Sequence, residues 1–158
     1  QTQCRSHARA FLVALTELTE AGYRVVVATN QSGIGRGLFD IDTLNAIHEK
    51  MHRAAHKAGG RIDAIFYCPH PVDADCTCRK PKTGMFERIA SCFNISLKGR
   101  AAIGDSLRDL QAAAAVGAQP LLVLTGKGTE TRDAGGLPPD TLIFTDLLAA
   151  VSHILRTC

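Results

Sequence analysis

Three cysteines and a histidine fall within eleven residues, at Cys68, His70, Cys76 and Cys78, and two cations, Arg79 and Lys80, follow at once. Cys-x-His, a five-residue spacer and Cys-x-Cys offer four donors of the kind tetrahedral Zn2+ prefers. A closed Cys3His shell leaves no open coordination position, so the metal would shape the loop and leave chemistry to other residues. Three thiolates and a neutral imidazole around a dication sum to a charge of about −1, so Arg79 and Lys80 can be held beside the loop at low electrostatic cost. The other reading is a pair of disulfides or buried thiols. Cys76 and Cys78 are poorly placed to bridge each other, which favours metal.

Three further segments carry groups suited to an anion. Thr29-Asn30-Gln31-Ser32 brings a hydroxyl, amide donors and backbone N–H groups to a strand-to-helix turn, a cradle for phosphoryl oxygens. Arg79-Lys80-Pro81-Lys82 brings cations, and Gly104-Asp105-Ser106-Leu107-Arg108-Asp109 brings carboxylates, one of which can hold Mg2+. Each has a plainer reading: Thr29 as a helix cap, Lys80 as a solvated charge, Asp105 as a turn residue. Asp109 fits equally a site carboxylate and an acid favoured in the first turn of a helix. Thr125-Gly126-Lys127-Gly128 fits a second phosphate contact or a flexible loop. His48, His52 and His56 recur every four residues but drift to the flank of an apolar face with no matching carboxylates, and read as a partly solvated stripe. Cys92 reads as a small core residue.

The elements that must position these groups follow from periodicity. Gln1 to His7 is polar, carries Cys4 and predicts no structure. Phe11, Leu12, Leu15 and Leu18 mark a helix from about Ala8 to Glu20, stopped by Ala21-Gly22. Val25-Val26-Val27 belongs to a strand over Tyr23 to Ala28, a β-branched run typical of burial on both faces. A helix capped by Asp40 or Asp42 presents Leu44, Ile47, Met51, Ala54 and Ala55 and ends at Gly59-Gly60. Ala64 to Tyr67 is a strand leading into the cysteine loop, and Met85, Phe86, Ile89 and Phe93 mark the next helix. A strand over Arg100 to Ile103, a helix over Leu107 to Val116, a strand over Leu121 to Leu124, a Gly-rich loop over Thr125 to Asp140, a strand over Leu142 to Phe144 and a helix over Leu147 to Leu155 complete the chain. The alternation predicts an α/β fold, a Rossmann-like parallel sheet with helices on both faces and no large cap domain, in a single domain spanning residues 1–158. In such sheets ligands bind beyond the carboxyl ends of the strands, where the three segments lie.

Composition narrows the function classes. A chain of 158 residues with 46% hydrophobic and 21% charged residues is a globular domain, and its mean hydropathy of +0.04 sets it apart from disordered and membrane-spanning chains. Net charge is only +3 and aromatics are 5% without Trp, so neither a basic stripe nor a stacking platform for nucleic acid is present. Small anionic molecules are the better match. Six cysteines without a regular disulfide spacing, no signal-peptide pattern and no long apolar run predict the cytoplasm and no membrane partner.

The run Val25-Val26-Val27-Ala28-Thr29-Asn30-Gln31-Ser32-Gly33-Ile34 with Arg36-Gly37, then Tyr67-Cys68-Pro69-His70, then Cys76-x-Cys78-Arg79-Lys80-Pro81, then Gly104-Asp105, resembles the haloacid dehalogenase superfamily of phosphatases over nearly the whole chain. Within it the pattern is similar to the D-glycero-D-manno-heptose 1,7-bisphosphate 7-phosphatases of the histidinol-phosphatase-related subfamily. The resemblance implies a Mg2+-dependent phosphomonoester hydrolase that removes the C7 phosphate during nucleotide-activated heptose and lipopolysaccharide precursor synthesis. It implies that Thr29 and Asn30 hold the transferring phosphoryl group and that Lys80 neutralises charge on it. Gln31, Ser32, Arg36 and Arg79 would contact a small phosphorylated sugar, Asp105 would ligate Mg2+, and Cys68, His70, Cys76 and Cys78 would hold structural Zn2+. The electrostatic demands of phosphoryl transfer agree with a hydroxyl, a lysine and a divalent cation. Histidinol phosphate phosphatases share the Thr-Asn-Gln-Ser and cysteine-loop pattern and are the alternative, with polynucleotide 3′-phosphatases disfavoured by the weak basic character.

One departure bears on activity. In this superfamily the nucleophile and the acid/base are an Asp-x-Asp pair on a strand upstream of the Thr-Asn-Gln segment, yet the 28 residues before Thr29 contain no Asp. A strand and its loop take roughly 10–30 residues, so the expectation is that an N-terminal segment is lacking. The chain as written then has negligible turnover, or serves as a catalytically silent phosphate-binding module. Unpaired strand edges beside Val25 to Val27 and Arg100 to Ile103 would favour self-association of this piece, the parent protein being monomeric.

Overall fold

A computed structural model describes residues 2–157, with side chains from residue 6 onward. The chain forms two compact units, one of residues up to Ala74 together with Thr157 and one of Asp75–Arg156. In the first, α1 (Thr2–Glu20) precedes β1 (Val26–Asn30), a short α2 (Ser32–Gly35), α3 (Ile41–Lys57) and β2 (Ala64–Cys68). The second runs α4 (Gly84–Phe93), β3 (Ala101–Gly104), α5 (Leu107–Ala115), β4 (Gln119–Val123), α6 (Gly128–Ala134), β5 (Leu142–Phe144) and α7 (Leu147–Arg156). Every strand pair is parallel: β1 with β2 in one unit, and β3-β4-β5 in that order in the other. This is the α/β class that the alternation predicts. Among the described residues β1 pairs only with β2, and β3 only with β4.

In the first unit α1 packs on α3. Leu15, Ala55 and Ile62 form the centre of its core, and Phe11, Leu12, Val25, Val27, Met51 and Ile65 close around it. Gly60 is needed there, because a Cβ would stand 3.0 Å from the Thr16 backbone nitrogen. Asp40 caps α3 by accepting a 2.8 Å bond from Thr43 N, and its carboxyl is held below the usual range by the backbone and side-chain bonds from Thr43. Ahead of the strands, Asp63 Oδ2 accepts from Val25 N at 2.7 Å and Arg61 Nε lies 2.8 Å from Asp63 Oδ1.

β4 is the spine of the second unit. Leu121 and Leu122 point to opposite faces of the strand, yet they retain only 1% and 0% of their exposure, so the sheet is covered on both sides there. α5 packs on β3 and β4, α7 packs on all three strands, and Leu110, Ala113, Ala150 and Val151 fill the space between. Burying each leucine stabilises the unit by about 1.5–3 kcal/mol. No helix among the described residues is long and apolar enough to cross a membrane.

Five expectations are corrected. The polar segment before Ala8 is helical from Thr2, and the 125–140 stretch contains α6. Val26 and Val27 are half-buried, because β1 has a strand neighbour on one side only among the described residues. Ile47 is 48% exposed and Ala54 is exposed too. The buried face of α3 is narrow, running through Leu44, Met51 and Ala55, and Ile47 and Ala54 stand roughly 60–80° off it at 100° per residue. Cys92 is exposed in the last turn of α4.

Candidate active site

The turn after β1 is fixed by the strand beside it. Thr29 and Asn30 stand opposite Tyr67 and Cys68 in register, and Gln31 N extends the ladder to Cys68 O at 2.7 Å. Gln31 Nε2 donates to Thr29 Oγ1 at 3.1 Å, and the Thr29 hydroxyl in turn donates to Asn30 O at 3.5 Å, so the hydroxyl is oriented from both sides. Gln31, not Thr29, is the N-cap of α2, which removes the capping explanation for Thr29. Ser32 opens α2, and Gly35 N donates to Pro69 O at 3.0 Å. A Cβ on Gly35 would come within 2.5 Å of that carbonyl oxygen, so only glycine lets the turn lie against Pro69 and Pro71. Arg36 is exposed.

The loop beyond β2 gathers the four predicted donors. The ligating atoms of Cys68, His70, Cys76 and Cys78 all lie within 4.8 Å of one another, with Cys68 Sγ 3.4 Å from His70 Nδ1. Donors around a tetrahedral ion with bonds of 2.0–2.3 Å are separated by roughly 3.3–3.8 Å, so this set closes around a metal with little movement. Cys68 is fully buried at the end of β2. Two contacts hold the far side of the loop: Lys82 Nζ donates to Cys76 O at 2.5 Å, and Gly84 N to Thr77 O at 2.9 Å. Gly84 rests so closely on Thr77 and Cys78 that a side chain there would overlap their backbone.

Arg79 and Lys80 leave this loop half-buried, and Lys80 precedes a cis peptide bond to Pro81. Lys80 Nζ meets Asp109 Oδ1 at 2.7 Å, with only 11% and 19% of the two side chains exposed. The other oxygen, Asp109 Oδ2, accepts from Ser106 N at 3.3 Å at the start of α5. Burial pushes the Asp109 carboxyl upward, but the Lys80 charge and the hydrogen bonds from Lys80 and Ser106 outweigh it and hold the group below the usual carboxylate range. Asp109 is therefore ionised at neutral pH, and both its oxygens are engaged.

Asp105 sits at the carboxyl end of β3, half-buried. Its Oδ2 accepts from Lys127 N at 2.9 Å, and its backbone carbonyl accepts from Thr131 Oγ1 at 2.7 Å. A single well-held carboxylate suits Mg2+, a hard ion that keeps several waters and is completed by substrate phosphate oxygens.

Two similar proteins carry one enzyme name. The D-glycero-beta-D-manno-heptose-1,7-bisphosphate 7-phosphatase of Bordetella bronchiseptica is 54% identical over 145 residues, covering 92% of this chain and 81% of that protein. The enzyme of the same name from Pseudomonas aeruginosa is 47% identical over 143 residues, covering 90% and 80%. The chain belongs to the haloacid dehalogenase-like phosphatases. A HAD-hydrolase-like family model matches residues 77–150, and the model for polynucleotide kinase 3 phosphatase matches residues 5–107. Among solved structures, the D,D-heptose 1,7-bisphosphate phosphatase of B. bronchiseptica, complexed with magnesium and phosphate, superposes with a TM-score of 0.91 at 54% identity and covers 93% of this chain and 82% of that one. The corresponding protein of Burkholderia thailandensis gives 0.76 at 53% identity, covering 92% and 84%.

For this haloacid dehalogenase-like phosphatase, sequence reasoning named Gly104, Ser106, Gly126 and Lys127 within two segments without their partners, and it passed over Thr131. Ser106, Gly126, Lys127 and Thr131 touch Asp109 or Asp105, and Gly104 is required because a Cβ would lie 2.5 Å from that of Asp109. The Thr125-Gly126-Lys127-Gly128 segment, read from sequence as a second phosphate contact or a flexible loop, instead contacts Asp105 through Lys127 N. Of the histidine stripe, only His48 is drawn in, its ring 5.9 Å from that of Tyr67. Burial and the nearby His52 lower its pKa. His52 and His56 face solvent.

Proposed function

We propose that this protein is a Mg2+-dependent phosphomonoester hydrolase that removes the C7 phosphate of D-glycero-beta-D-manno-heptose 1,7-bisphosphate. The observation that carries this reading is 54% identity over 145 residues to an enzyme named for that reaction, with the Thr-Asn-Gln-Ser, Cys-Arg-Lys-Pro and Gly-Asp segments all present. Thr29 and Asn30 donate hydrogen bonds to the transferring phosphoryl group. Lys80, held by Asp109 at 2.7 Å, offsets the negative charge that develops on the phosphoryl oxygens. Gln31, Ser32, Arg36 and Arg79 contact the sugar phosphate. Mg2+ held by Asp105 adds positive charge at the same oxygens. Cys68, His70, Cys76 and Cys78 bind Zn2+, which fixes the loop carrying Arg79 and Lys80.

The Asp-x-Asp pair used by the family is not found among the 28 residues before Thr29. Without such a pair phosphoryl transfer to an aspartate has no acceptor, and turnover would be negligible. The test is a substrate panel on the full-length protein: heptose 1,7-bisphosphate, histidinol phosphate and a 3′-phosphorylated DNA oligomer, each with Mg2+, followed by phosphate release. A kcat/KM for the heptose at least about 100-fold above the others is expected, equivalent to about 2.7 kcal/mol of discrimination. A preference for histidinol phosphate or DNA would overturn the substrate assignment.

A further inference from the structure

Three independent contacts converge on Asp105 from one short segment. Lys127 N donates to its Oδ2 at 2.9 Å, and Thr131 Oγ1 donates to its backbone carbonyl at 2.7 Å. Gly126 adopts φ +60°, and a Cβ there would run into Asp105 Oδ2. The same Thr131 hydroxyl lies 3.0 Å from Lys127 O, so its one proton is shared between the two carbonyls, the bond to Asp105 being the shorter. With Oδ2 anchored, the carboxylate plane is fixed and Oδ1 is the oxygen these contacts do not use. α6 has no apolar stripe of its own, which leaves these polar contacts as a reason for its position.

We propose that Gly126–Thr131 is a clamp that sets the Asp105 carboxylate for a divalent cation, with Thr131 as its positioning residue. The proposal rests on Asp105 being the Mg2+ ligand. A hydrogen-bond partner of a metal-binding carboxylate contributes roughly 10–100-fold in metal affinity. Because Thr131 acts through the backbone of Asp105 and through the turn, the lower end of that range applies.

The experiment uses the full-length protein in its wild-type, Thr131→Val, Thr131→Ser and Asp105→Asn forms. Mg2+ binding is measured by calorimetry without substrate, and the Mg2+ concentration for half-maximal phosphate release is measured in parallel. Thr131→Val should weaken both by about tenfold while kcat at saturating Mg2+ stays within about twofold, and Thr131→Ser should restore wild-type values. Unchanged Mg2+ binding in Thr131→Val, or a fall in kcat without any Mg2+ shift, would overturn the clamp. Asp105→Asn separates the two levels. If it binds Mg2+ as tightly as the wild type, the ligand assignment itself is wrong; if it loses Mg2+ while Thr131→Val does not, only the clamp fails. Should Thr131→Val not fold, Thr131→Ala takes its place, and failure of both to fold would make the role structural and sink the proposal.

Discussion

Replacing Asp109 by Asn removes the negative charge beside Lys80 and one of two acceptor oxygens. The amide is isosteric, but if its oxygen keeps Ser106 N its NH2 faces the Lys80 ammonium, so the bond to Lys80 is lost with the charge. Exposed ion pairs contribute about 0–1 kcal/mol, whereas removing one partner of a fully buried pair costs about 3–5 kcal/mol. With 11% and 19% of the side chains exposed, this pair lies nearer the buried limit, and a loss of about 2–3 kcal/mol at pH 7 is expected. The pH dependence identifies the cause. The Asp109 carboxyl is depressed in the folded protein, so its contribution is complete above the unfolded value of about 3.9 and is lost as pH falls through the lower folded value. Urea unfolding of both proteins between pH 7 and pH 3 should therefore show a gap that is constant down to about pH 5 and closes only in strong acid. Phosphate release should also fall, by roughly tenfold or more, because Lys80 is no longer aimed. A stability gap under about 0.5 kcal/mol, or one that does not change across the acid range, would refute the argument.

Two further outcomes test the scaffold. Protein purified without chelator should carry about one equivalent of zinc, and Cys78→Ser should lower it below about half an equivalent with a drop in melting temperature; elemental analysis and a thermal melt decide it. Leu122→Ala opens a cavity at a fully buried position of β4 and should cost roughly 3–5 kcal/mol in urea unfolding, with a loss under about 1 kcal/mol contradicting the placement of the core.

The features legible in the sequence were those carried by short-range pattern. Leu44, Met51 and Ala55 at helical spacing set α3, Met85 and Ile89 set α4, and the four zinc-type donors lie close enough in sequence that one loop must bring them together. What escaped depends on contacts between distant positions. Gly128–Ala134 has a polar sequence opened by glycine, and its helix is tied to Asp105 by a Thr131 bond spanning 26 residues. Cys92 lies on the same side of α4 as Met85 and Ile89, yet it is exposed in the last turn. A β-branched triplet does not reveal how many strand neighbours it has, which is why Val26 and Val27 read as fully buried and are half-buried.

The two carboxylates that end and follow β3 show how far local pattern reaches. Asp105 and Asp109 stand four residues apart in one acidic segment; from sequence Asp105 reads as a cation ligand or a turn residue, and Asp109 as a site carboxylate or a helix-favouring acid. Their neighbours separate them. Asp109 accepts from Lys80 at one oxygen and from Ser106 N at the other, so a cation bound there would compete with the lysine. Asp105 is anchored through Oδ2 alone, and the glycine at 126 leaves room for that geometry. The division of labour has a consequence that can be measured within the experiments above: substitution at 105 should appear in Mg2+ binding, while substitution at 109 should leave Mg2+ binding intact and appear in acid stability and turnover.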